Sequence, residues 1–176
     1  TKQTAQAAHE GQKCLIILKM NTLTDESLMA ALVEAGQAGV QIDLIVRGAC
    51  MLPAQRAGFT DNIRVRSIIG RFLEHSRVFY FASGKQESLY LSSADWMNRN
   101  MLRRVELAWP VEDPKLRQRI FHECLQTYLQ DHVDAWVMHA NGQYVRATPP
   151  KSRSATVKVY TSAQQQLMTL YANSKN

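Results

Sequence analysis

Residues 14–46 contain Cys14-Leu-Ile-Ile-Leu-Lys19, then Thr24-Asp-Glu-Ser-Leu-Met-Ala-Ala-Leu-Val-Glu-Ala-Gly36, then Gln41-Ile-Asp-Leu-Ile-Val46. Two short apolar runs flank a stretch in which Leu28, Ala31, Leu32 and Ala35 recur at helical spacing. Thr24 is the expected N-cap, with Asp25 and Glu26 in the first turn. Gly36 or Gly39 ends the helix. Strand, helix and strand in this order predict parallel strands joined by a right-handed crossover.

Working outward, Thr1 to Gln12 is Ala/Gln-rich and predicts a helix ending at Gly11. Gly48 to Asn62 is a loop punctuated by Pro53 and Gly58. From Asn62 to Ile69, Ile63, Val65 and Ser67 alternate with Arg64 and Arg66, so one strand face is apolar and the other carries arginines. Val78–Ala82 and Ser88–Leu91 are strands joined by a Ser-Gly-Lys turn, and Val105–Pro110 is another strand. Asp113 caps a long helix from Pro114 to about Gln130. Asn141-Gly142 predicts a type I′ hairpin. Pro149-Pro150 through Ser154 reads as a flexible connection, and Gln164–Ala172 as a terminal helix. The sum is one α/β domain over residues 1–176, a mixed sheet with helices on both faces.

The chain has 176 residues, 45% hydrophobic and 20% charged, which suits an ordinary globular domain. Its apolar runs, Cys14–Leu18 among them, fall far short of the roughly 20 residues of a membrane span. With no initiator Met and no leader, an excised piece of a longer cytosolic chain is expected. Cys14, Cys50 and Cys124 lack zinc spacing and read as reduced thiols.

Charge is concentrated. Residues 47–104 hold ten basic and four acidic side chains, so this stretch carries the whole net charge of +6. Nine of the ten cations are arginine, the residue that grips phosphate bidentately. A polyanionic ligand is implied.

Within this stretch lies Arg71-Phe-Leu-Glu-His-Ser-Arg77, and then Leu91-Ser-Ser-Ala-Asp-Trp96. His75 and Arg77, two apart on a strand, point to one face. The turn containing Ser93 presents hydroxyls and backbone N–H groups. Together they offer a donor that titrates near neutral pH, a fixed cation and short hydrogen-bonding groups, a set suited to phosphate. Arg47 ends its strand, where open α/β sheets bind ligands, and Gly48 lets backbone approach a ligand closely. Glu106, after Arg103 and Arg104, is placed to orient an arginine or histidine, or to form a plain ion pair. The residues alone leave open a module that grips nucleic-acid backbone.

The His-x-Arg and Ser-Ser-Ala-Asp segments are similar to half of the phospholipase D-like pattern, a His-x-Lys motif with a following aspartate and a Gly-Ser-x-Asn turn. Arg77 stands for the lysine, Ala82 for the aspartate and Asp95 for the asparagine. Such sites need two histidine motifs, and a phosphodiesterase made by dimerising single motifs is one further reading. Ile17–Asn21, Ile42–Gly48, Asn62–Arg77, Leu91–Met97, Arg103–Glu106, Val111–Pro114 and the Asn141–Arg146 hairpin together resemble the last, second phospholipase D-like domain of type 1 polyphosphate kinase.

That resemblance implies a phospholipase D-like α/β fold. It implies reversible transfer of the terminal phosphate of ATP to inorganic polyphosphate, with Mg2+ held mainly outside this chain. The phosphohistidine forms on a histidine in an upstream domain, so His75 is the auxiliary partner and not the nucleophile. It assigns ATP/ADP and polyphosphate contacts to Arg47, His75, Arg71, Arg77, Ser93 and Arg104, with Glu106 close by. It further implies upstream domains of the same chain as partners, a homo-oligomer at full length and an inactive isolated fragment. No specific nucleic acid is expected. The expected location is cytoplasmic, with a peripheral membrane association admitted.

Overall fold

The computed structural model describes residues 1–149 and 160–173. Among the described residues there are eight strands: β1 (Cys14–Met20), β2 (Gln41–Val46), β3 (Ile63–Ile68), β4 (Val78–Ser83), β5 (Gln86–Ser92), β6 (Ala108–Pro110), β7 (Ala135–Met138) and β8 (Tyr144–Arg146). They form one sheet in the order β6-β5-β4-β1-β2-β3-β7-β8. β1, β2 and β3 pair in parallel at its centre, and every other neighbour is antiparallel. The helices are α1 (Lys2–His9), α2 (Glu26–Gln37), α3 (Asn98–Arg103), α4 (Pro114–Ile120), α5 (Thr127–Leu129) and α6 (Ala163–Asn173). A π-helical segment, Phe121–Gln126, joins α4 to α5.

The central strands are apolar on both faces because both faces are covered. On one side Ile16, Leu18, Ile42, Leu44, Ile63 and Val65 pack with Leu32 and Ala35 of α2 and Ala5 of α1. On the other, Ile17, Ile45, Ile68, Val78 and Leu89 pack with Leu125 of the π segment, Tyr128 of α5 and Ala163 of α6. Each fully buried Ile or Leu contributes about 1.5–3 kcal/mol of transfer free energy. The sheet is therefore a rigid floor, and its loops do the work. The expected mixed sheet with helices on both faces is what forms.

Several local expectations are corrected. Asp25, not Thr24, caps α2: its carboxylate accepts from Ser27 Oγ at 2.6 Å and Leu28 N at 3.0 Å. Those bonds, the hydroxyl's first, hold its pKa below the ordinary value. The N–H of Thr24 goes instead to Trp96 O at 2.8 Å. β6 is shorter than Val105–Pro110, because Leu107 bonds to Ser93 rather than extending the ladder. α3 lies where no helix was expected; its N-cap, Met97, has no side-chain bond to offer. The long helix is interrupted where Thr127 N and Oγ1 both bond His122 O, five residues back. The Asn141-Gly142 hairpin forms, but not as type I′: of its two residues only Gly142 has positive φ, +82°, and Asn141 Oδ1 accepts Gln143 N at 3.0 Å instead. The flexible connection expected at 149–154 lies outside the described residues beyond Pro149.

Candidate functional site

The carboxyl ends of β1, β2 and β3 lie at one end of the sheet. β4 starts there, since Val78 pairs with Lys19, and β5 ends there, since Val78 also pairs with Leu91. The topology thus gathers Asn21, Arg47, the Ile69–Arg77 connection and Ser92–Ser93 at that end. This is the crevice position of open α/β sheets.

Arg47 leaves β2 half-buried. Its Nη1 is buried with no hydrogen-bond partner among the described residues, and the same is true of Tyr144 Oη. Both line one cavity of about 270 Å³ with Gly48, Ser67, Ile69 and Trp136. A buried guanidinium nitrogen without an acceptor costs free energy until an anion or carbonyl arrives. Burial pushes the Tyr144 hydroxyl up to about 12, so it stays a neutral donor. The close approach predicted at Gly48 is real, but its partner is the protein: Gly48 N donates to Asn21 O at 2.7 Å, and a Cβ there would sit 2.9 Å from that oxygen.

Arg77 is spent inside the protein. Its Nε and Nη2 each donate to the Asp95 carboxylate at 3.0 Å, and its Nη1 to His75 O at 3.2 Å. Asp95 also accepts Asn21 N at 2.7 Å. Burial alone would raise the Asp95 carboxyl; the guanidinium and the Asn21 amide outweigh it and hold it below its ordinary value. This bidentate pair ties the start of β4, the end of β1 and the Ser92–Asp95 turn together. Arg77, expected to contact phosphate, is held here by a carboxylate of the protein itself.

His75 is exposed in the connection between β3 and β4. Arg71 and Arg104 are exposed as well, with Arg71 lying 5.5 Å from the Phe72 ring centroid. Glu106 meets neither the arginine nor the histidine expected; it accepts Ser93 Oγ at 2.5 Å. The two arginines of β3 are also occupied. Arg64 bonds Asp43 through two contacts of 2.7 Å, and Arg66 Nη1 donates to Leu129 O at 2.6 Å and Tyr128 O at 3.1 Å. A larger cleft of about 910 Å³ lies at the opposite end of the sheet, by Ser83 and Lys85, and holds no candidate residue.

Below His75 lies a network the sequence did not announce. Lys19 Nζ pairs with Glu74 at 2.6 Å, with both side chains nearly excluded from water. It also lies 3.5 Å from the Tyr128 ring centroid. Gln164 of α6 reaches the same carboxylate at 2.7 Å. A lone lysine in the apolar run of β1 was the available signal, since a buried cation demands an acidic partner.

Among the described residues no helix is long and apolar enough to cross a membrane. The cysteines are unpaired.

Comparison with known proteins agrees with this frame. Residues 1–158 match the family described as polyphosphate kinase C-terminal domain 2. Polyphosphate kinase of Pseudomonas aeruginosa is 53% identical over 161 residues, 89% of this chain and 23% of the relative. That of Paraburkholderia phytofirmans is 52% identical over 148 residues, 84% of this chain and 22% of the relative. The crystal structure of polyphosphate kinase from Porphyromonas gingivalis superposes with a TM-score of 0.86 at 33% identity, covering 98% of this chain and 26% of that one. The phospholipase D family member Nuc from Salmonella typhimurium gives a TM-score of 0.51 at 17% identity, over 83% of this chain and 91% of that one, a likeness of fold alone. The chain spans under a quarter of the length of these curated relatives. With its phospholipase D-like sheet and the match over residues 1–158, the chain belongs to the family of polyphosphate kinase C-terminal domain 2.

Proposed function

We propose that this chain is the nucleotide- and polyphosphate-binding part of a polyphosphate kinase. The whole protein moves the terminal phosphate of ATP onto polyphosphate and back, through a phosphohistidine outside this chain. The observation that carries the reading is Arg47: a buried guanidinium nitrogen with no acceptor, at the carboxyl end of a central strand. Arg47 would bind the phosphates of ATP or ADP. His75, exposed at the same end, would stabilise the transferring phosphoryl group and give a proton to the leaving oxygen. Arg71 and Arg104, exposed and at the loops, would guide the polyphosphate chain. Ser93 and Glu106 hold the neighbouring turn. The site is half of one, completed by upstream parts of the same chain, in a cytoplasmic protein.

Magnesium would accompany ATP, but the carboxylates here do not make a ligand set for it. Asp95 is closed by Arg77 and Asn21, and Glu106 takes the Ser93 hydroxyl. Among the described residues no three His, Cys, Asp or Glu side chains come together. The metal would be held by phosphates and by residues outside this chain.

Titration of ATP against the wild-type chain, Arg47→Ala and His75→Ala tests the reading. Weaker binding in both variants is expected; equal affinity in all three removes both residues from the site. Competition between polyphosphate and single-stranded DNA is expected to favour polyphosphate, and a clear preference for DNA would replace this reading with a nucleic-acid module.

A further inference from the structure

The connection that carries His75, Ile69–Arg77, has no ladder bonds of its own between β3 and β4. Its ends are fixed: Ile69 N donates to Asp134 O at 3.0 Å, and Arg77 is tied to Asp95. Its middle is held by Lys19 on Glu74, by Arg77 on the His75 carbonyl, and by one side chain from the far end of the sequence, which alone bonds the Phe72 backbone among the described residues. Gln164 Oε1 accepts Phe72 N at 2.8 Å, and Gln164 Nε2 donates to Phe72 O at 2.8 Å and to Glu74 Oε1 at 2.7 Å. An amide that accepts from the N–H and donates to the C=O of one residue copies a strand neighbour. Gln164 is 5% exposed, so these bonds are shielded from competing water. Gly70 makes the close approach possible, because a Cβ there would lie 2.6 Å from Gln164 Oε1.

α6 itself is docked by a buried anchor. Asp131, fully buried, accepts Ala163 N through Oδ2 at 2.7 Å and Val133 and Asp134 N–H through Oδ1. The carboxylate thus sits at the start of the helix, where the dipole favours it. Gln164, the next residue of α6, meets the Lys19–Glu74 pair, so β1, the π segment's neighbour Tyr128 and α6 converge under residues 72–74. α6 lies beyond residue 158, where the family match ends.

We propose that Gln164 is a positioning residue for His75. α6 clamps residues 72–74 from below and fixes where the exposed imidazole stands at the phosphate site. This rests on the reading of His75 as the group at the transferring phosphoryl.

The test uses the full-length protein that contains this chain, with Gln164→Ala and with Leu167→Ala as a control. Leu167 is on the same helix and packs against the core below the sheet through an apolar side chain that has no hydrogen bond to give the loop. Hydrogen exchange over residues 70–77 and steady-state polyphosphate synthesis are read together with thermal midpoints. Gln164→Ala is expected to speed loop exchange by roughly tenfold or more, since the shielding bonds are gone. It is also expected to lower kcat several-fold with little change in KM for ATP, the pattern of a contact made in the transition state. Leu167→Ala is expected to lower the midpoint while leaving loop exchange and kcat near wild type. Unchanged exchange in Gln164→Ala overturns the clamp. So does an equal kcat loss in Leu167→Ala, which would make the effect one of general stability. His75→Ala in the same assay tests the underlying reading separately: full kcat there overturns the role of His75, whatever the exchange data give.

Discussion

Asp95→Asn is the perturbation that best probes how the site is built. Asp95 is 8% exposed and takes two bonds from Arg77 and two from Asn21, one from its backbone N–H and a longer one from its side-chain amide. The substitution removes the charge opposite a guanidinium that is itself only 14% exposed, and turns one oxygen into an NH2 facing a donor. Removing one partner of a buried ion pair costs roughly 3–5 kcal/mol. Residual exposure of 14% and 11% on the two side chains places this pair at the lower end, about 3 kcal/mol. Urea unfolding at pH 7 measures it. The folded carboxyl holds its proton less readily than the unfolded one, whose ordinary pKa is 3.8. Its contribution is therefore complete above that value and falls as pH drops through the folded pKa, by about 1.4 kcal/mol per unit between the two. The gap between wild type and Asp95→Asn should narrow below about pH 3.8 and stay constant above about pH 5. Adding Arg77→Met to Asp95→Asn should recover part of the loss, because the orphaned cation is gone. A cost under about 1 kcal/mol at pH 7, or a gap that does not narrow in acid, refutes the reasoning.

Lys19→Met leaves Glu74 buried with only neutral donors, and a loss of about 3 kcal/mol is expected in urea unfolding; adding Glu74→Gln should restore most of it. A Lys19→Met variant as stable as wild type would show that the pair adds nothing. Gly48→Ala forces a methyl to 2.9 Å from the Asn21 carbonyl, a backbone atom that cannot swing aside. A lowered thermal midpoint, worth about 1–3 kcal/mol, is expected together with weaker ATP binding. Unchanged affinity would separate the turn from the ligand.

The β1-α2-β2 unit was readable because its signals are local: two apolar runs, a helical period and an acidic start. The Asp113-Pro114 helix start and the alternation of β3 were readable for the same reason. What the arginines do was not. Arg64 finds Asp43, Arg66 finds the carbonyl end of α5, and Arg77 finds Asp95. Each partner is distant in sequence and brought near only by strand order. Composition therefore over-counted the cations free for phosphate. Arg47 was singled out by its position at the end of β2, and only the structure shows its bare Nη1. Glu106 turned towards Ser93 because β6 starts late, a boundary that periodicity does not set. Gln164 gave no sign at all; a glutamine in a polar helix is silent until the loop it bonds is seen.

Among the described residues the sheet has its shortest members outermost. β6 and β8 have three residues each, and β6 ends in Pro110, which brings no N–H. A second chain sliding in alongside would find too little ladder to join, so sideways growth of the sheet, and with it fibre-like association, is discouraged. Anything that reaches the bare Arg47 nitrogen comes in over the strand ends and not by lengthening the row of strands.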